Sequence, residues 1–101
     1  MQITFSIEGG FAGLTRSTTV DTNDLDAKTR DDLCRLIEGT RLFEREQPPW
    51  PQGGADRFTY TITASAAGKQ RTLTLTDPID DPKLADLVTA LRGLMRKQRQ
   101  Q

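Results

Sequence analysis

Ile3, Phe5 and Ile7 alternate with Gln2, Thr4, Ser6 and Glu8, the period-two pattern of a strand with one buried face. A second alternating run follows, with Leu14, Arg16, Thr18 and Val20 on one parity and Thr15, Ser17 and Thr19 on the other. Its Thr and Val content suits a strand, although its apolar face is weaker. The two runs flank Glu8-Gly9-Gly10-Phe11-Ala12-Gly13-Leu14, so the pattern predicts a hairpin across a glycine-rich loop. Asp21-Thr22-Asn23-Asp24 is turn chemistry, and Asp24 or Asp26 is placed to cap the helix that follows. From Ala27 to Glu38 the period changes. Leu33, Leu36 and Ile37 fall on one face at three- and four-residue spacing, with Arg30, Asp31, Asp32, Arg35 and Glu38 around the rest. Gly39 is expected to end this helix, and Phe43 to continue its apolar face on an irregular turn.

Residues 47–56 carry three prolines and two glycines, which exclude both helix and central strand. The segment reads as a long loop holding the one tryptophan, Trp50. Phe58, Tyr60 and Ile62 then alternate with Thr59, Thr61 and Thr63; after a turn at Ala66-Ala67-Gly68-Lys69, Leu73 and Leu75 mark a returning strand. Asp77-Pro78 stops it. Asp81-Pro82 places a capping side chain before a proline at the first helical position. Leu84, Leu87, Val88, Leu91 and either Leu94 or Met95 form the buried stripe of a second helix. Gly93 weakens its last turn, and fraying is expected from about Gln98. The predicted fold class is α+β: a four-stranded antiparallel sheet with both helices packed on one face, in the order ββαββα.

At 101 residues the chain reads as a single domain, residues 1–101, with room for one sheet and one helical layer. Its 14 basic and 14 acidic residues cancel, which removes the long-range field that draws proteins to nucleic acid or anionic membranes. Basic residues thicken at Arg92, Arg96, Lys97 and Arg99, where cations complement a helix C-terminus. Phe58 and Tyr60 could stack bases on a sheet, but their shared parity with Ile62 points to core burial instead. No apolar run is long enough to span a bilayer. Met1-Gln2-Ile3-Thr4-Phe5 lacks the charged and apolar regions of a signal peptide. A cytoplasmic monomer with no nucleic-acid or membrane partner is therefore expected, and export without such a signal stays compatible.

Candidate catalytic chemistry is thin. The chain has no histidine, so imidazole metal sites and His-based triads are ruled out. Its single cysteine, Cys34, sits in the helical pattern as a small packing residue. Asp31-Asp32 lies on a polar helix face and Asp80-Asp81 precedes a helix, so solvation and capping account for both. Gly9-Gly10-Phe11-Ala12-Gly13 has neither the spacing nor the following helix of a phosphate-binding loop. An enzyme is not expected, nor any cofactor or metal.

What remains is the glycine loop. Gly9, Gly10 and Gly13 open dihedrals closed to other residues, and Phe11 sits at a loop tip, where recognition residues concentrate. Phe11 has a second reading, folded back onto the core. Trp50 likewise is either an interface residue or a lid over the sheet edge.

The run Ile3-x-Phe5-x-Ile7-Glu8-Gly9-Gly10-Phe11-Ala12-Gly13-Leu14, then Val20-Asp21-Thr22, Leu33-x-x-Leu36-Ile37, Phe43, Ala55-Asp56-Arg57-Phe58-x-Tyr60 and a Leu-rich terminal helix resemble the emfourin family. The resemblance runs through nearly the whole chain. It implies a small bacterial inhibitor of thermolysin-like zinc metallopeptidases such as protealysin, a protein that obstructs the substrate cleft sterically. Gly9, Gly10, Phe11, Ala12, Gly13, Leu14 and Trp50 are then the expected partner-binding residues. The alternative is a non-catalytic adaptor module that uses the same loops on a non-peptidase partner. A small-molecule-binding domain is third, and would need a roomy apolar pocket.

Overall fold

The computed structural model describes residues 1–9, 14–44, 58–76 and 79–99. The alternating runs form four strands: β1 (Gln2–Gly9), β2 (Leu14–Asp21), β3 (Phe58–Ala66) and β4 (Lys69–Thr76). They pair antiparallel in the order β2-β1-β3-β4. β2 and β3 both oppose β1, so they run parallel to each other. The connection between them carries helix α1 (Ala27–Thr40), as parallel strands require a crossover. Helix α2 (Pro82–Arg99) follows β4.

Parity decides the two faces. Ile3 and Phe5 of β1, Tyr60, Ile62 and Ala64 of β3, and Leu73 and Leu75 of β4 join Leu33 and Ile37 of α1 in one buried cluster. Leu84, Leu87, Val88, Leu91 and Met95 of α2 belong to the same cluster, so both helices cover one face of the sheet. The Phe5 and Tyr60 rings stack at 6.2 Å with 8° between their planes. They are diagonal neighbours across β1 and β3, within reach for aromatic side chains. The other face is hydroxyl-rich. Thr4 and Thr19 share a hydrogen bond of 3.2 Å, Thr63 and Thr72 one of 3.1 Å, and Ser6 donates to Ser17 at 3.4 Å.

The helix starts follow local chemistry. The Asp26 carboxylate accepts from the Thr29 amide at 3.2 Å, and Asp81 Oδ1 accepts from the Lys83 and Leu84 amides at 2.9 and 3.4 Å. Each satisfies donors that a first helical turn leaves open. Of the two capping candidates for α1, Asp26 is the one used. The end of α1 differs from expectation. Gly39 lies inside the helix, which continues to Thr40 and ends at Arg41 in the left-handed region, φ 54°. The tertiary contacts explain the shift. The buried Thr40 hydroxyl donates to the Ile37 carbonyl at 2.7 Å, and Leu42 is fully buried in the core just beyond. Seating both requires the reversal at residue 41. At the other end of the chain, Met95 takes the core position while Leu94 stays half-buried.

Candidate functional site

Sheet register sets what stands beside the glycine loop. Gly9 is the last residue of β1 and pairs with Leu14 of β2 on one side and Phe58 of β3 on the other. Its φ of 118° is a conformation that side chains other than hydrogen resist. Residues 10–13 depart from Gly9 and return at Leu14, while residues 45–57 lead directly into Phe58. Both flanks of residues 10–13 and the C-terminal flank of residues 45–57 therefore meet in one row of the sheet. Sequence alone left open whether the two segments shared an end of the molecule, and the pairing of Gly9 with Phe58 brings one flank of residues 45–57 beside both flanks of residues 10–13.

Of the expected partner-binding residues, Gly9 and Leu14 occupy described positions in that row. Gly10, Phe11, Ala12, Gly13 and Trp50 lie outside the described residues. One residue joins the row that the pattern had assigned elsewhere. Phe58 was expected in the core with Tyr60 and Ile62, yet it is 41% exposed while Tyr60 is 2%. Parity did give the correct face. The core cluster begins only at Tyr60, and the first residue of β3 stands outside it. The available signal was position: Phe58 adjoins a proline-glycine loop, and strand ends outrun the layer that covers a sheet. The next row on this face holds Arg16, Ile7, Tyr60 and Leu75. Ile7 is only half-buried and Arg16 is exposed.

Elsewhere among the described residues, charged groups make local contacts. Arg30 and Asp31 approach to 3.6 Å on the open surface of α1, where such pairs contribute little. The Asp26 carboxyl is held below its ordinary value, first by the Thr29 hydroxyl and then by the Thr29 amide, as an ionised helix cap should be. Among the described residues no three His, Cys, Asp or Glu side chains gather into a metal-binding group. A groove of about 680 Å³ is lined by Met1, Cys34, Ile37, Leu42 and Phe43, with Glu38, Arg41 and Glu44 beside them. Its size would suit a small ligand; the thiol of Cys34 shares it with the carboxylates of Glu38 and Glu44, and the sequence has no histidine to pair with that thiol. No described helix is long and apolar enough to cross a membrane.

Comparison with known proteins adds a family. A family model described as Emfourin matches residues 5–92. Among solved structures, a match is emfourin (M4in) from Serratia proteamaculans, described as an M4 family peptidase inhibitor. It is 20% identical, with 85% of this chain and 83% of that chain covered and a TM-score of 0.44. No curated protein matches.

Proposed function

The chain belongs to the Emfourin family, and from that premise we propose that it is a protein inhibitor of zinc metallopeptidases of the thermolysin-like, M4 class. The observation that carries this reading is the family match through residues 5–92, which runs from Phe5 of β1 through the rest of the sheet and α1 to all but the last turns of α2. The Serratia protein's description as an M4 peptidase inhibitor names the target class.

The physical features support a binding role. A four-stranded sheet backed by two helices holds loop ends rigidly, and rigid presentation lowers the entropic cost of association. The inhibitor acts by occupying the substrate cleft through its surface loops, with Gly9, Gly10, Phe11, Ala12, Gly13, Leu14 and Trp50 at the interface. Steric occlusion is favoured over capture of the peptidase's zinc. The sequence has no histidine, and its one thiol, Cys34, lies half-buried on α1 away from the Gly9 row. The hydroxyl-rich open face of the sheet suits water, which fits an inhibitor working as a monomer with no catalytic activity of its own.

Titration against a panel of thermolysin-like peptidases, recording residual activity and complex formation together, tests this. Stoichiometric inhibition of at least one member is expected, weakened in the Phe11→Ala variant. Neither inhibition nor complex formation across the panel would overturn the proposal in favour of the adaptor reading. Equal inhibition by wild type and Phe11→Ala would remove the loop tip from the interface and leave the inhibitor assignment standing.

A further inference from the structure

Phe58 is the one large hydrophobic residue, among those described, that the fold leaves exposed. It belongs neither to the buried cluster nor to the half-buried side chains packed against it. Residues of the same strand, Tyr60, Ile62 and Ala64, complete the core without it. Its neighbour across the pairing is Gly9, which brings no side chain to that position. On the same face one row further lies Ile7, half-buried, and beyond it the exposed Arg16. The result is an accessible aromatic ring beside the side-chain-free Gly9, with a cation two strand spacings across and one row along, about 12 Å away.

Resting on the inhibitor reading above, we infer that Phe58 is a central anchor of the peptidase-binding surface, entering an apolar side-chain pocket of the zinc peptidase's cleft. Aromatic residues dominate interface energetics when they fill a desolvated pocket. Phe58 also shares its row with Gly9 and Leu14, both assigned to the peptidase interface above, so the ring continues that surface. Arg16 presents a guanidinium on the same face, at the rim, where a charge tunes the association rate.

The competing account is intramolecular: the ring covers the Gly9 backbone and strengthens the strand pair, as aromatic residues do opposite glycines in sheets. The two accounts separate in an experiment on a peptidase that wild type inhibits. Phe58→Ala should raise the inhibition constant about 30-fold or more, the loss typical of an anchor residue. Phe58→Leu should recover most of it, and Arg16→Gln should flatten the dependence of association rate on salt. In wild type, the Phe58 ring resonances should shift on titration with the peptidase. An Ala variant that is folded and inhibits like wild type overturns the inference. Should that variant not fold, ring resonances unchanged in the saturated wild-type complex overturn it instead. Unchanged inhibition together with loss of a homodimer on Phe58→Ala would assign the ring to self-association and likewise overturn it. If wild type inhibits no panel member, the inhibitor reading itself fails and this inference with it; intact wild-type inhibition with an indifferent Phe58 defeats the inference alone.

Discussion

Tyr60 and Phe58 occupy the same strand and the same face, two residues apart, and meet opposite fates. Tyr60 is sealed beneath the helices and stacked on Phe5, while Phe58 stands 41% exposed outside the core. Both share one alternation with threonine, and only position separates them: Phe58 opens the run after Arg57, while Tyr60 has threonine on both sides. The difference is where the helix layer ends. An apolar face on a strand is a requirement for cover, and cover comes from elements distant in sequence. Where it stops, the same alternation yields a surface instead of a core.

The contrast can be broken most forcefully at its buried member. Tyr60→Ala should destabilise the fold by about 3–5 kcal/mol, read as a lower denaturant midpoint. Phe58→Ala should cost less than about 1 kcal/mol, because the ring is 41% exposed and stands outside the buried cluster. Similar losses at both positions would mean that Phe58 is a core residue after all. Between these extremes lies Gly9→Val. A β-branched residue at φ 118° should cost about 1–3 kcal/mol, and amide exchange should rise first at the Leu14–Gly9–Phe58 end of the sheet. Uniform loosening along β1 would contradict a strain confined to that row.

The smallest effect concerns the helix layer that separates the two residues. Asp26 has its carboxyl pKa lowered by Thr29 in the folded state. A group depressed on folding contributes stability that is present above its unfolded value, near pH 4, and lost as pH falls through the folded value. Asp26→Ala should therefore lower the thermal midpoint at neutral pH slightly and flatten its decline below about pH 4. An unaltered acid limb would show that the cap does not couple to global stability.

Much of this was legible in the chain. The Ile3-Phe5-Ile7 and Tyr60-Ile62 alternations gave the strands and their buried parity, and Asp81-Pro82 gave the start of α2. Local rules failed where distant contacts intervened. Gly39 is the residue helix-ending preference favours, yet Leu42 and Thr40 fix the end at Arg41 because both are buried. Leu42 itself carries no periodic signal, since it falls beyond the helix whose pattern would have flagged it. The candidate site was half visible. The glycines announced an unusual backbone by composition, while Phe58 carried the same alternation as its buried neighbour.

Sequence alone thus determined the elements, their order, the absence of histidine chemistry and the resemblance to a family, because each depends on residue type and short-range spacing. Tertiary structure decided which apolar residues the helices reach, and that Gly9, Leu14 and Phe58 share one row. Strand register joins positions about fifty residues apart, and the cooperative fit of sheet to helices sets it, a constraint that no local run of residues contains.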